Sequence, residues 1–262
     1  MTIQQVPTPP GEITGQVLFY SRPEPLSPEA HGKLGFKSVD APFAFAASAH
    51  ILPLQVSEFG PAALNYPIIF AGEFKTPMAI LGIRPGENLF VSAQGQYEES
   101  AYIPSFIRRY PFVLAGGEGS EQLIVCIDRE APMLVEGGDV PLFVDGKLST
   151  FSQNAVDFCS NFETERRRTD EFVARLKGLD LFEAKAATFT PRSADGIQGQ
   201  PVQIADYFAI SEERLNALPD KDLRDLHVTG ALRQISAHAI SMFNWERLIN
   251  RAAARVAVAG HA

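Results

Sequence analysis

The chain has 262 residues, 45% of them hydrophobic and 10% aromatic, with a net charge of −8. That is enough apolar material for a sizeable packed core, with Phe supplying most of the aromatic area, which favours a packed globule over a disordered chain. The acidic balance has no basic lobe set against it, which argues against nucleic-acid binding, and two cysteines (Cys126 and Cys159) are too few for a disulfide-built fold.

Residues 1–42 read as a Pro-rich arm, with Pro7, Pro9 and Pro10 followed by Pro23, Pro25 and Pro28. Proline fixes φ and removes a donor, so the arm is expected to lie over the body as an extended strap or to be partly disordered, with regular structure starting near Phe43. The first residues carry no positive stretch ahead of an apolar run. The longest apolar run, Ala41 to Leu54, is interrupted by Pro42, His50 and Pro53 and falls short of the ~20 residues a membrane helix needs. A cytoplasmic protein without membrane insertion is expected.

Residues 43–148 are β-rich. Tyr66–Phe70, Met78–Ile83, Asn88–Val91, Phe112–Ala115, Leu123–Ile127 and Pro141–Val144 are short apolar runs separated by Gly72, Pro85-Gly86, Gly116-Gly117 and Gly137-Gly138. This spacing predicts an antiparallel meander, and Asp145-Gly146 a hairpin turn. A short helix is expected within Ser100–Arg109, begun at Ser100 or at Pro104. Asp128-Arg129-Glu130, at a strand end, reads as a solvated turn.

From residue 150 to 258 the period becomes helical. Ala155, Phe158, Cys159 and Phe162, then Thr169, Phe172, Val173 and Leu176, recur at three- and four-residue intervals, with Gly178 as a stop. Arg166-Arg167-Arg168 reads as a charged outer face of that helix. Residues 186–200 read as a loop and Ser211 as a helix cap. The stretch from Asp222 onward reads as one long terminal helix, expected to pack against its own sheet, with homo-oligomer pairing as the alternative its apolar surface allows. The fold class that follows is α+β: a largely antiparallel sheet from the first half packed with helices from the second, as a single domain over residues 43–262.

Motif chemistry is sparse. His227 and His238, eleven residues apart on a helix, lie ~16 Å apart and cannot share an ion. No HxxxH or CxxC spacing occurs, so no metal site is expected. No GxSxG appears, Gly116-Gly117-Glu118-Gly119 lacks the Lys-Ser/Thr of a phosphate loop, and no cofactor is implied. Both cysteines read as small buried hydrophobes.

The chemistry-bearing segment is Tyr102 to Phe112, where four aromatics and two prolines flank Arg108 and Arg109. Guanidinium beside aromatic rings can stack and grip a carboxylate in a fork. Candidate binding residues are therefore Tyr102, Arg108, Arg109, Tyr110 and Asp128. The alternative is an internal salt bridge from these arginines to Asp128 or Glu98. One arginine is expected to be structural and the other to reach solvent.

These residues resemble the SapC family. The match is carried by Tyr66-Pro67-Ile68-Ile69-Phe70, Leu81-Gly82-Ile83, Glu87-Asn88-Leu89-Phe90, and above all Tyr102-Ile103-Pro104 with Ile107-Arg108-Arg109-Tyr110-Pro111-Phe112. Cys126-Ile127-Asp128, Leu142-Phe143, Thr169 ahead of Phe172, and Gly230-Ala231-Leu232 before His238 continue it, over about residues 43–250. The resemblance implies an association with bacterial surface-layer systems, and relatives near outer-membrane receptors and flavin-dependent halogenases. It carries over no catalytic residue. The expected role is a non-catalytic binding or accessory protein of a surface-layer, export or peptide-modification system, with a protein or peptide partner. Two alternatives stand beside it. One is an enzyme acting on an anionic small molecule or peptide, with Asp128 or Tyr110 in acid–base work. The other is a structural surface-layer subunit.

Overall fold

A computed structural model of the chain describes residues 18–116, 123–189, 200 and 202–259. Regular structure starts well before Phe43, with β1 (Pro23–Pro25), α1 (Pro28–His31) and β2 (Leu34–Phe36). The prolines of the arm are compatible with this. β1 is an edge strand paired only with its neighbour, where a missing N–H costs little, and Pro28 opens α1, where no N–H is needed. Ser27 caps α1, its hydroxyl accepting from Ala30 N at 3.3 Å.

The elements β3 (Ile51–Pro53), α2 (Phe59–Ala62), β4 (Ile68–Ala71), β5 (Thr76–Ile80), α3 (Ser105–Arg108), β6 (Phe112–Gly116) and β7 (Leu123–Asp128) follow. Short strands β8 (Leu134–Glu136), β9 (Val140–Pro141), β10 (Phe143–Val144) and β11 (Lys147–Leu148) lead into α4 (Thr150–Gly178). The chain ends with β12 (Phe182–Phe189), β13 (Val202–Ile210), α5 (Glu212–Asn216), α6 (Asp220–Val228), α7 (Ala231–Ser241) and α8 (Asn244–Ala259). Antiparallel sheets with helices packed on them make this an α+β protein.

The chain divides into two compact units, Met1–Val39 with Arg109–Ser160, and Asp40–Arg108 with Asn161–Ala262. The first, smaller unit holds the antiparallel sheets β1-β7-β6 and β8-β2-β9 and the hairpin β10-β11. Asp145 (φ 49°) and Gly146 (φ 72°) turn that hairpin, with both central residues at positive φ as a type I′ turn requires. Leu34, Phe112, Ile127, Leu134, Leu142, Phe143 and Cys159 form its core. A Cβ on Gly138 would stand 2.4 Å from the Gly35 carbonyl carbon, so the backbones can approach this closely only because both residues are glycine. Cys126 and Cys159 are buried and free, and burial pushes each thiol up to about 11, which keeps both protonated as small hydrophobes.

The second, larger unit is built on one five-stranded sheet of order β12-β13-β4-β5-β3. Its strands come from both halves of the chain, so the expected single meander of the first half is in fact distributed over several sheets. The expected loop at 186–200 is corrected in part. Ala186–Phe189 belong to β12 and the hairpin resumes at Val202, while 190–199 lie outside the described residues. Ala184, Ala186 and Ala187 give β12 a weak strand signature, and pairing with β13 overrides it. Residues 88–91 are not a strand. Asn88 pins them as a loop, its Nδ2 donating to Ala46 O at 3.0 Å and its Oδ1 accepting from Phe90 N at 2.9 Å. The core contains Leu52, Phe59, Ile68, Phe70, Leu81 and Leu176, with Phe172 edge-on to Phe59 at 5.8 Å.

The long terminal helix is three helices. Gly230, at φ +79°, separates α6 from α7, and a second break falls at Met242–Phe243. Burial across the breaks is uneven: α6 buries Leu226, α7 Ala231 and Ile235, and α8 Leu248 and Ala252, while Val228, Ile240 and Phe243 are exposed. His238, Ser241 and Asn244, three residues apart, fasten this region to the backbone before and within β4. His238 Nδ1 donates to Ile68 O (2.8 Å) and its Nε2 accepts from Ile210 N (3.2 Å), which fixes the neutral tautomer. Ile68 N donates to Ser241 Oγ (3.0 Å), and Asn244 Nδ2 donates to Ala63 O (2.7 Å). Along α8, Arg247 donates to Leu64 O, Arg251 forks onto Glu98, and Arg255 donates to the carbonyls of Asn88 and Val91. Among the described residues, no helix is long and apolar enough to cross a membrane.

Candidate functional site

The segment singled out in the sequence contributes to both units, because the boundary falls between its two arginines. Tyr102 and Arg108 belong to the larger unit, and Arg109, Tyr110 and Asp128 to the smaller. The five candidate residues therefore form two separate constellations.

In the larger unit the centre is Glu58, which the sequence reading did not single out. It ends a 3₁₀ turn, Val56–Glu58, begun at Gln55, and is only 5% exposed. A buried carboxylate is costly unless its oxygens are satisfied. Here Oε1 accepts from Tyr102 Oη (2.8 Å) and Ser105 N (2.7 Å), and Oε2 from Ser105 Oγ (2.6 Å) and Gln55 N (3.0 Å). That uses the ~four acceptor positions of a carboxylate. Ser105 is the first residue of α3, directly after Pro104, so Glu58 supplies the acceptor that the buried start of this short helix needs. Gln55 continues the network to α4, where Thr169 Oγ1 lies 3.0 Å from Gln55 Oε1 and accepts from Val56 N at 2.9 Å.

Above this network sits Arg108, exposed to solvent. Its Nε donates to Ile103 O and its Nη2 to Tyr102 Oη, each at 3.0 Å, with the guanidinium carbon 5.6 Å from the Tyr102 ring centroid. The phenol thus accepts from Arg108 while donating to Glu58, a relay in which each bond polarises the next. Burial, then the Glu58 carboxylate, pushes the Tyr102 phenol well above its usual value, so it stays a donor. Tyr102 N also donates to Asn65 Oδ1 at 3.0 Å. Glu58 cannot act as a base without unmaking this arrangement. What the arrangement can do is hold an exposed cation still.

The second constellation is a latch. Asp128, expected in a solvated turn, is 1% exposed. Its Oδ1 accepts from Arg22 N (2.8 Å) and Glu130 N (3.2 Å), and its Oδ2 from Ser21 N (3.0 Å) and Tyr110 Oη (3.3 Å). The physical reason for the correction is that β1 pairs with the end of β7 and brings Ser21 and Arg22 over the carboxylate. Arg109 is half-buried, 6.0 Å from the Tyr20 ring centroid, and Tyr20 Oη donates to Phe112 O at 2.6 Å. Burial pulls Arg109 below its usual value and raises Tyr20 and Tyr110. The Tyr110–Pro111 peptide is cis. Glu98, considered as a partner for these arginines, is held instead by Arg251. Among the described residues, no three His, Cys, Asp or Glu side chains are grouped to hold a metal ion.

Glu58 and Gln55 were missed because neither belongs to a catalytic or ligand motif, and Thr169 was noted only as part of a helical stripe and Ser105 only as part of the aromatic–arginine segment. The available signal was the spacing of Gln55 and Glu58, a capping-box pattern in an otherwise apolar stretch.

These features define an α+β protein whose aromatic–arginine segment is anchored by a buried carboxylate in each unit. The chain belongs to the SapC family, whose model matches residues 26–248. No curated protein and no solved structure matches it.

Proposed function

We propose that this SapC protein works by binding, as a non-catalytic accessory to a bacterial surface-layer, export or peptide-modification system, and that Arg108 meets a negatively charged group on a protein or peptide partner. The observation that carries this reading is the exposed guanidinium held by Ile103 O and Tyr102 Oη, with Tyr102 fixed in turn by buried Glu58. Immobilising a rotamer-rich side chain on binding costs ~0.5–1.5 kcal/mol, and a guanidinium ordered beforehand avoids part of that. The fork geometry of guanidinium suits a carboxylate or phosphate.

The test is affinity capture from host lysate with the wild-type chain and with Arg108→Glu, read by mass spectrometry. A partner retained by wild type and lost at least ~10-fold with the variant, at unchanged circular dichroism and melting temperature, is the expected result; ~10-fold corresponds to about 1.4 kcal/mol. Equal retention by both chains would refute the Arg108 face. Fractionation of host cells checks the compartment, the cytoplasm being expected.

A further inference from the structure

Away from Arg108, the larger unit carries a groove of about 400 Å³ lined by Phe74, Thr76, Pro77, Asp170, Val173, Ala174 and Lys177. Asp170, Val173, Ala174 and Lys177 stand at i, i+3, i+4 and i+7 of α4, which puts them on one face. Phe74 comes from the turn between β4 and β5, and Thr76 and Pro77 from β5 itself. We propose that this groove is a second, independent binding site, for a short extended peptide segment with an aromatic or aliphatic anchor two positions from an acidic residue.

Size, exposure and charge argue for that occupant. The volume is at the lower end of the ~300–1,000 Å³ typical of ligand sites, room for one large side chain and its flanking backbone. Phe74 is 78% exposed, so its ring contributes little to the core, and exposed rings beside a depression are typical interface anchors. The two charged ends differ. Asp170 pairs with Arg166 Nη1 at 2.7 Å, an arginine it shares with Glu163. Lys177 Nζ donates to the neutral Glu73 carbonyl at 3.0 Å and lies 6.0 Å from the Phe74 ring centroid. Lys177 has no ion pair among the described residues, and the neighbouring Lys75 Nζ lies over the Phe208 ring at 3.3 Å. The groove thus has an apolar floor and a positive lip at the Lys177 end.

Spacing sets the register. Ala174 to Lys177 spans ~4.5 Å along the helix, and an extended peptide advances ~3.3 Å per residue. Side chains alternate faces along an extended peptide. With an anchor seated on Val173 and Ala174, the residue two positions away, ~6.6 Å along, therefore shares the anchor's face and brings its carboxylate within reach of the Lys177 side chain.

The experiment is selection of a phage-displayed random heptapeptide library on the full chain, followed by affinity measurement with the synthetic peptides selected. Enrichment of an apolar anchor with Asp or Glu two positions away is expected. Binding should weaken at least ~10-fold in Ala174→Trp, which fills the groove, and in Lys177→Glu, and stay unchanged in Arg108→Glu. Phe74→Ser, at an exposed position, tests the same groove if Ala174→Trp does not fold. Selected peptides that bind the groove variants as well as wild type, peptides without an acidic residue, or no enrichment at all would overturn the proposal. Because Arg108→Glu is one arm, failure here leaves the Arg108 reading standing, and the reverse also holds.

Discussion

Replacing Glu58 by Gln tests the network beneath Arg108 in a way that does not depend on which way the amide turns. Oε1 serves one backbone amide (Ser105 N) and one hydroxyl (Tyr102), and Oε2 likewise serves Gln55 N and the Ser105 hydroxyl. Hydroxyls can rotate to accept, but backbone N–H groups cannot. Whichever oxygen becomes NH₂, one buried N–H then faces another. An orphaned buried donor costs ~1–3 kcal/mol, and the remaining bonds lose charge assistance worth several tenths of a kcal/mol each. The expected loss of stability is about 3 kcal/mol. Trp245 is the only tryptophan of the chain and belongs to the larger unit, so its fluorescence during urea unfolding reports on the unit in question. A coupling of ~1 kcal/mol or more with Ser105→Ala in a double-mutant cycle should accompany it. A Glu58→Gln chain within ~0.5 kcal/mol of wild type, or zero coupling to Ser105, would show that the carboxylate is not the anchor argued here.

Three further outcomes are expected. His238 is buried and neutral, with its pKa lowered from 6.5 to about 4. The unfolded chain therefore takes up a proton that the folded chain does not. Stability from this group is full above pH ~6.5 and declines by up to about 3 kcal/mol as pH falls toward 4. Trp245-monitored unfolding between pH 4.5 and 7.5 should show that slope, and His238→Gln should flatten it. Asp128→Asn sets N–H against N–H in the smaller unit, since each Asp128 oxygen holds at least one backbone amide, and hydrogen exchange at Ser21 and Arg22 should accelerate at least ~10-fold. Arg251→Met removes the fork to Glu98 and the stacking over Phe90 at 4.5 Å. The pair is about one-third exposed, so solvent screening limits the cost to about 1 kcal/mol, smaller still in high salt.

The α+β class was legible because apolar spacing changes from short runs to a three-and-four pattern near residue 150, where α4 begins, and the Asp145-Gly146 hairpin just before it was legible from its turn dipeptide. What stayed hidden depends on tertiary pairing. Strands β12 and β13 pair with each other and extend a sheet begun by β4, so no local window reveals them. The split of the terminal helix hangs on Gly230 adopting a left-handed φ, which the apolar stripe of α6 to α8 conceals. At the site, the sequence pointed to the aromatic–arginine segment through composition alone. Asp128, expected to be solvated, is buried because the amides of Ser21 and Arg22 fold over it, and Glu58, which drew no reading, is buried beneath Ser105 N and Gln55 N. Such acids look like surface residues until the amides that satisfy them are placed.

The claim on which the account rests is that the fold holds the exposed Arg108 guanidinium still through Tyr102 and Glu58. ¹⁵N relaxation of arginine Nε groups measures this directly. An order parameter for Arg108 near the ~0.85 of rigid backbone, falling below ~0.6 in Tyr102→Phe, is the expected result. An Arg108 side chain as mobile in the wild-type chain as it is in Tyr102→Phe would contradict it.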